Sequence, residues 1–216
     1  MKRFVIFGAA AFCPESYTPL PGDYLLAADG GVEHVRKLGL HPDEVLGDFD
    51  SLGYVPAGAT VFPVEKDVTD TMLAVRRGLQ LGYVDFLLLG CLDGRRLDHT
   101  LANYQTLLFL DKAGARGYLV GEKYCVTAVS REKLIFPAGC RGVVSVFCMG
   151  RDARGVCLRG LRYPLENGDL SPEFPLGVSN HFTGEQSEIL VEDGTLLVFW
   201  DRENGFPLRV ERREKC

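Results

Sequence analysis

Residues 84–99 have the sequence V-D-F-L-L-L-G-C-L-D-G-R-R-L-D-H, an apolar run that ends in a charged glycine turn. The run 84–89 has the length of a strand and is the most apolar in the chain, which predicts a central strand buried on both faces. A helical pattern follows over 97–113, with apolar residues recurring along one side. A buried strand followed by a helix is the repeating unit of a parallel α/β sheet.

The same unit recurs on either side of this stretch. Apolar strand-like runs alternate with amphipathic helical patterns, and glycines close the helices. Residues 1–128 are therefore predicted to form a Rossmann-like α/β domain with a parallel sheet. The predicted strands are 4–7, 25–28, a segment preceding Gly47, 60–64, 84–89 and 116–120; the predicted helices are 32–38, 72–81 and 97–113.

The pattern changes after about residue 125, where short β-rich runs are separated by Gly and Pro at intervals of roughly ten residues. This spacing predicts that residues 129–216 form an antiparallel β-sandwich domain. Residues 164–176 show no periodicity and are predicted to be a long loop. The predicted strands are 125–129, 133–136, 143–147, 155–158, 188–191 and 195–200.

Composition excludes several classes of protein. The net charge of −5 argues against a general nucleic-acid or anionic-membrane surface. No apolar run approaches the length of a membrane span, and no signal-peptide pattern opens the chain. The seven cysteines contain no C-x-x-C pair, which favours free thiols in a reducing compartment over disulfides or zinc ligands. We therefore expect a cytoplasmic protein that binds neither nucleic acid nor membrane.

Acidic residues flank the predicted strand ends. Asp48 and Asp50 follow a short apolar run, and Asp67 and Asp70 precede the helix predicted at 72–81. In an extended backbone, residues two apart project to the same side, so we expect Asp48 and Asp50 to face one site. Their repulsion requires a cation, and Mg²⁺ is the natural partner of oxygen ligands. The alternative is that Asp67 caps the helix, with Asp70 in its first turn and Asp48 in a plain turn.

Asp29 closes the second predicted strand and precedes Gly30 and Gly31. Glycines before a helix allow a phosphate to approach the backbone N–H groups, although an ordinary turn is the more common explanation of such a pair. The chain contains no G-x-x-x-x-G-K-[ST] motif, which excludes a Walker-type nucleotide site.

The glycine turn after the central strand carries Arg95 and Arg96, followed by Asp98 and His99. Guanidinium groups bind phosphate oxygens bidentately, so the turn suits a polyphosphate. The alternatives are a solvated loop for the arginines and a structural role for His99. Acids, a divalent ion and arginines together predict phosphoryl-type transfer to an acceptor that the residues alone do not identify.

Five motifs appear in a fixed order: A-D-G-G (28–31), G-D-F-D-S (47–51), D-V-T-D (67–70), G-R-R-L-D-H (94–99) and Asn103. With these motifs the chain resembles the thiamine pyrophosphokinase family over essentially its whole length. That family transfers a pyrophosphoryl group from ATP to the hydroxyethyl group of thiamine, giving thiamine diphosphate and AMP. The resemblance implies the same activity here. It also implies a homodimer whose site lies between the α/β domain of one subunit and the β domain of the other.

The resemblance also implies residue roles. Asp48, Asp50 and Asp70 would be the Mg²⁺ ligands and, with Asp98, the catalytic residues. Thiamine would contact Ser179 and Asn180, and Trp200, the only tryptophan, is a candidate for ring stacking, with core packing as the alternative. The ATP side would comprise Asp29, Gly30, Lys66, Asp67, Arg95, Arg96, His99 and Asn103.

Two departures from the family pattern stand out. The family has Gly-Gly-Arg where this chain has residues 93–96, D-G-R-R, so either Arg95 or Arg96 matches the family arginine. His181 follows Ser179 and Asn180 where the family has Glu, which removes a carboxylate that would attract the thiazolium cation.

Two other function classes fit the same residues. A metal-dependent phosphohydrolase would use the acids and the ion with water as the acceptor. A thiamine- or nucleotide-binding protein without turnover would keep the acidic cluster for binding alone.

Overall fold

The computed structural model describes residues 2–50, 52–65 and 67–211, and the chain divides into two compact units, residues 1–122 and 123–216. The division lies earlier than the boundary predicted between residues 128 and 129. The strand that crosses the predicted boundary, Tyr124–Val129, pairs residue by residue with Leu196–Asp201 of the second unit. That ladder places the strand in the second unit.

The first unit contains a parallel sheet and three described helices. The strand order is β6-β5-β1-β2-β3-β4, and every pairing between these neighbours is parallel. Parallel strands need a crossover between them, and described α-helices form part of three of the five connections between consecutive strands. The elements are β1 (Phe4–Phe7), β2 (Tyr24–Ala28), α1 (Gly31–Lys37), β3 (Glu44–Gly47), β4 (Thr60–Val61), α2 (Asp70–Gln80), β5 (Asp85–Leu89), α3 (Leu97–Lys112) and β6 (Arg116–Val120), with a 3₁₀ turn at Pro14–Ser16.

The apolar strands β1 and β5 lie next to each other inside this sheet, each with a neighbouring strand on both sides, and the sequence predicted such an internal position for residues 84–89. All of β1 is buried, and so is β5 after its first residue. Helices α1 and α2 contact β1 and β2 and bury small or β-branched residues such as Val35 and Ala74. None of the helices in the described ranges has the length and apolarity needed to cross a membrane.

Strand β4 is shorter than predicted, ending at Val61 rather than at residue 64. Phe62 still donates its backbone N–H to the carbonyl of Gly47 at 2.9 Å. Pro63 has no N–H and cannot continue the ladder, which accounts for the early end of the strand.

The second unit is built from antiparallel strands in two groups. One group has the order β12-β9-β14-β7 and the other the order β11-β10-β13-β8-β15. The strands are β7 (Tyr124–Val129), β8 (Glu132–Phe136), β9 (Val143–Cys148), β10 (Ala153–Arg159), β11 (Leu165–Leu170), β12 (Asn180–His181), β13 (Ser187–Leu190), β14 (Leu196–Asp201) and β15 (Leu208–Glu211), with a 3₁₀ turn at Arg202–Asn204.

The prediction of a continuous loop over 164–176 is wrong, because β11 pairs with β10 along the edge of its sheet. The register shifts twice along this pairing, and Asn167 has a φ of 50°. This bulged edge strand is mostly solvent-exposed. It has no buried apolar face, so its sequence does not show the alternation of apolar and polar residues that predicts a strand. Strands β12 and β15 were also not predicted; β12 has only two residues.

Aromatic side chains from both groups of strands meet in the core of the second unit. The ring of Phe136 in β8 lies 5.5 Å from that of Trp200 in β14, in an edge-to-face arrangement. Phe182 adds a second contact to Phe136 at 5.0 Å. Phe136 and Trp200 have no exposed surface, so they anchor the two groups to each other.

The six described cysteines are free thiols, and five of them are buried. Burial raises the pKa of Cys91 to about 12, so this thiol stays protonated at neutral pH. Cys216 lies outside the described residues.

Candidate active site

The carboxyl ends of the parallel strands in the first unit border an open cleft of about 510 Å³. Its walls come from the segments after β1, β2 and β3, the segment before α2, and the start of α3. Ligands of open parallel sheets bind at this edge. The predicted site residues that line the cleft are Asp29, Asp48, Asp50, Asp67, Asp70, Arg96 and His99.

Three carboxylates converge in this cleft. Asp29, Asp48 and Asp50 each offer one oxygen, and these oxygens lie within 4.8 Å of one another. At an effective dielectric constant of about 20, two unit charges at that distance repel by about 3.5 kcal/mol. Asp29 and Asp48 are half-buried, so water screens them incompletely. A hard divalent cation with oxygen ligands removes this repulsion, and the donor set fits such an ion.

We expected an extended backbone to bring the carboxylates of Asp48 and Asp50 together. That expectation is wrong, because the backbone between the two residues forms a turn. Phe49 between them has a φ of 58°, in the left-handed region, and its side chain is only 3% exposed. This conformation costs about 1–2 kcal/mol for a residue with a Cβ. Burial of a phenylalanine ring contributes about 1.5–3 kcal/mol and offsets that cost. A buried turn therefore brings the two acids together.

The approach of Asp29 to β3 depends on Gly47. A Cβ at Gly47 would lie 3.0 Å from the Cα of Asp29, and Gly47 has a φ of 153°. The backbone N–H of Asp29 donates to the carbonyl of Leu46 at 2.8 Å, which extends the β2–β3 ladder to the cleft. Asp29 itself has a φ of 50°, a conformation that Asp tolerates better than most residues. Backbone strain of this kind clusters at functional sites.

Helix α2 begins beside these acids. Its N-cap is Thr69, whose hydroxyl accepts from the backbone N–H of Met72 at 3.2 Å, so the alternative that Asp67 caps the helix is wrong. Asp70, a predicted metal ligand, also lines the cleft. The group of three converging carboxylates found among the described residues, however, contains Asp29 and not Asp70. Lys66 lies outside the described residues.

The turn before α3 separates the two arginines. Arg96 lines the cleft, whereas Arg95 is exposed and is not part of its lining. The guanidinium of Arg96 donates to both carboxylate oxygens of Asp98, at 3.2 and 2.5 Å, and this lowers the pKa of Asp98. Asp98 is exposed and does not line the cleft. It contacts Arg96, which does.

The predicted thiamine residues of the second unit differ from one another. Ser179 is exposed, has a φ of 58° and donates its backbone N–H to the hydroxyl of Ser145 at 3.0 Å. Asn180 is 3% exposed, and its side chain bonds both the N–H and the carbonyl of Tyr163, at 2.9 and 2.7 Å. Its Oδ1 also accepts from the N–H of His181 at 2.8 Å. The Asn180 side chain thus bonds three backbone groups of its own unit.

Trp200 was a candidate for ring stacking, and that prediction is wrong. The side chain is fully buried, and its Nε1–H donates to the carbonyl of Gly205 at 2.7 Å. The indole therefore has no face open to a ligand, and the alternative of core packing is confirmed.

Comparison with known proteins identifies the family. Residues 21–119 match the catalytic domain of thiamin pyrophosphokinase, and residues 133–196 match its vitamin B1 binding domain. The chain belongs to the thiamin pyrophosphokinase family. It is therefore an enzyme, a kinase-type transferase of thiamine diphosphate biosynthesis, and the family implies thiamine and ATP as its substrates.

Individual relatives agree with this assignment. The thiamine pyrophosphokinase of Bacillus subtilis (strain 168) is 25% identical over 190 residues, which cover 80% of this chain and 85% of the relative. A solved thiamine pyrophosphokinase from Bacillus subtilis superposes with a TM-score of 0.81 at 21% identity, covering 92% of this chain and 98% of the other. One from Geobacillus thermodenitrificans gives 0.77 at 23% identity, covering 92% and 96%. The two structures show that the fold, with its mixed α/β content, is shared.

Besides Arg95, two further residues assigned to the ATP side by family resemblance do not line the cleft of this thiamin pyrophosphokinase family member. Asn103 is 7% exposed and donates its side-chain N–H to the carbonyl of Cys91 at 2.6 Å. Gly30 is the N-cap residue of α1, and its carbonyl accepts from the N–H of Glu33 at 3.1 Å. Both residues support the segments that border the cleft.

The sequence did not indicate several other residues that line the cleft, among them Gly8, Ala9, Thr69 and Thr71. They carry no charge, so they did not stand out by chemistry. Their position was a usable signal, because Gly8 and Ala9 follow a predicted strand of the sheet just as Asp29 and Asp48 do.

Proposed function

We propose that this enzyme transfers the pyrophosphoryl group of ATP to the hydroxyl group of thiamine in the cleft of the first unit, giving thiamine diphosphate and AMP. The observation that carries the proposal is the convergence of Asp29, Asp48 and Asp50 at the carboxyl edge of the parallel sheet. The matches to both family domains support the same reaction.

Asp29, Asp48 and Asp50 are proposed to hold Mg²⁺. The charge of the cleft supports a metal, because its described lining contains five carboxylates and one guanidinium, that of Arg96. A triphosphate would be repelled from such a surface without a divalent cation. When bound, the ion neutralises charge on the phosphate oxygens of ATP. Asp70 borders the same cleft and is proposed as a further ligand of the ion.

Arg96, rather than Arg95, is proposed as the arginine that binds the phosphates. Arg96 lines the cleft, and its planar guanidinium can bind two phosphate oxygens at once. Asp98 is proposed to hold the Arg96 side chain in place when ATP is absent, since it accepts two hydrogen bonds from it. Asp67 and His99, which also line the cleft, are assigned to the phosphate side.

The second unit is proposed to bind thiamine, because residues 133–196 match the vitamin B1 binding domain. Ser179 is the candidate contact, since it is exposed and held in a left-handed conformation. Asn180 supports it from within the fold by fixing Tyr163 and the N–H of His181.

The proposal also covers the architecture, the assembly and the location of the protein. The strand order of the first unit supports a Rossmann-like domain, and the contact of Phe136 with Trp200 supports a β-sandwich in the second. We propose that the boundary between these domains follows residue 122, and the division of the chain into two compact units supports this. The resemblance to the family supports a homodimer, and the free, buried cysteines support a location in the cytoplasm.

The test is a product assay with ATP, thiamine and Mg²⁺. The proposal expects AMP and thiamine diphosphate in equal amounts, and it expects turnover to require thiamine. ADP as the product would contradict pyrophosphoryl transfer. Phosphate release without thiamine would indicate hydrolysis by water. Removing the metal with a chelator is expected to stop turnover, and added Mg²⁺ to restore it.

A further inference from the structure

The loop between β5 and α3 presents Arg96 to the cleft. It runs from Gly90 to Arg96, and its residues from position 93 onward are exposed. Exposed glycine-containing loops are mobile unless their backbone groups are tied down. The structure ties this loop at several points, and none of the tying side chains lines the cleft.

Side chains of helix α3 form hydrogen bonds to the first part of the loop. The side-chain N–H of Asn103, which is 7% exposed, donates to the carbonyl of Cys91 at 2.6 Å. One turn earlier on the helix, the hydroxyl of Thr100 donates to the carbonyl of Leu92 at 3.2 Å. Consecutive loop carbonyls are thus bonded by side chains of the helix that the loop leads into. This fixes the loop relative to the start of α3.

Asp93 ties the loop to the end of strand β6. Its Oδ2 accepts from the backbone N–H of Glu122 at 2.6 Å, and its backbone forms an isolated antiparallel bridge with Ala11. Gly121 makes room for the carboxylate, because a Cβ at that position would lie 2.3 Å from Asp93 Oδ2. The carboxylate therefore occupies space that any other residue at position 121 would fill.

We propose that Asp93 and Asn103 are positioning residues for the ATP phosphates, which hold the loop so that Arg96 faces the cleft before ATP binds. Neither side chain lines the cleft, so neither is a catalytic residue. The inference rests on the proposed role of Arg96. It replaces the predicted ATP contact of Asn103 with an indirect role, and it gives Asp93 a role that the sequence did not indicate.

The tied loop restricts the position of the Arg96 guanidinium already in the free protein. ATP binding therefore does not have to supply the conformational entropy of ordering it. Displacements of about 1 Å in a positioning group can cost about a hundredfold in rate. Release of the loop should therefore weaken ATP binding specifically. A role in stability alone would lower the melting temperature and leave the KM values for ATP and thiamine unchanged.

The test compares Asp93→Ala, Asp93→Asn and Gly121→Ala with the wild-type enzyme. Asp93→Ala and Gly121→Ala, which release the same contact from opposite sides, are expected to raise the KM for ATP about tenfold. The KM for thiamine should stay within about twofold of wild type, because thiamine does not bind this loop in the proposal. Asp93→Asn keeps an acceptor oxygen for the N–H of Glu122 and should restore most of the ATP affinity.

Asp43→Ala is the matched control. Its Oδ2 accepts from the backbone N–H of Leu25 at 2.7 Å, so it makes the same type of contact in the same unit. Asp43 precedes β3, at the edge of the sheet opposite to the cleft. Its removal should leave the KM for ATP unchanged. If the Asn103→Ala protein folds, its KM for ATP is expected to rise as in Asp93→Ala. If it does not fold, the variants of the exposed Asp93 provide the test.

The outcomes separate the inference from the proposed function. A wild-type enzyme without thiamine-dependent AMP release would overturn the proposed function and the inference with it. An active wild-type enzyme together with an unchanged KM for ATP in Asp93→Ala and Gly121→Ala would overturn the inference alone. An equal rise in Asp43→Ala would also overturn it. A rise specific to the loop variants, reversed in Asp93→Asn, supports it.

Discussion

The two units use the polar residues predicted to bind ligands in different ways. In the first unit, Asp29, Asp48 and Asp50 gather around an open cleft at the edge of the sheet. In the second unit, Asn180 and Trp200 turn inward and satisfy backbone groups of their own domain. Motif membership therefore does not by itself fix a role. The hydrogen-bond partners of a side chain distinguish a residue that meets a ligand from one that builds the site.

The largest expected effect is in the first unit. Asp48→Asn should keep the fold but lower turnover by about 100- to 1000-fold, because a positioned charge of this kind supplies about 3–4 kcal/mol. The rate of AMP release measures the effect, with Asp43→Asn as a control of matched chemistry on the opposite edge of the sheet. Activity of Asp48→Asn within about twofold of wild type would remove the metal role from this residue.

The corresponding change in the second unit should affect stability instead. Asn180→Ala should lower the free energy of unfolding by about 2–3 kcal/mol, since both backbone groups of Tyr163 lose a buried partner. Denaturant titration measures the loss. Its exposed neighbour provides the contrast, because Ser179→Ala should stay within about 0.5 kcal/mol of wild type and raise the KM for thiamine. A stable Asn180→Ala protein with weakened thiamine binding would reverse the assignment.

Trp200→Phe separates core packing from ring stacking. The smaller ring loses the hydrogen bond to the Gly205 carbonyl and some packing, so a stability loss of about 1–2 kcal/mol is expected. The KM for thiamine should not change. A tenfold or greater rise in that KM at unchanged stability would restore the stacking role, on the scale of about 1.4 kcal/mol per tenfold change.

The smallest expected effect concerns pH. Burial lowers the pKa of His34, whose Nε2 lies 2.8 Å from the carbonyl of Ala10. The folded state then binds fewer protons than the unfolded state below about pH 6.5, so stability falls as pH drops through that value. His34→Gln should show a smaller decrease in melting temperature between about pH 7 and pH 5 than wild type. Identical decreases in both proteins would assign the acid sensitivity to other groups.

Much of the first unit was predictable because its signals are local. The apolar runs of β1 and β5 and the periodicity of α3 lie within single segments, and their positions match the structure closely. The rule that parallel strands deliver their loops to one edge predicts, from the sequence alone, that Asp29, Asp48, Asp50 and Asp98 lie at that edge. The first three line the cleft, and Asp98 does not.

The parts that failed depend on contacts distant in the chain. The turn at Phe49 exists because the ring is buried by the rest of the unit, which no local pattern displays. Strand β11 lies at a bulged, exposed edge, so its residues carry no alternation. Asn103 and Asn180 resemble ligand-binding residues in sequence, and only their backbone partners reveal a structural role.

The most direct test of the central claim is a crystal structure of the enzyme with Mn²⁺ in place of Mg²⁺, analysed by anomalous scattering. The account predicts one strong peak between the carboxylates of Asp29, Asp48 and Asp50, and its loss in crystals of Asp48→Asn. A peak bound by Asp70 without Asp29, or no peak in the cleft at saturating Mn²⁺, would contradict it.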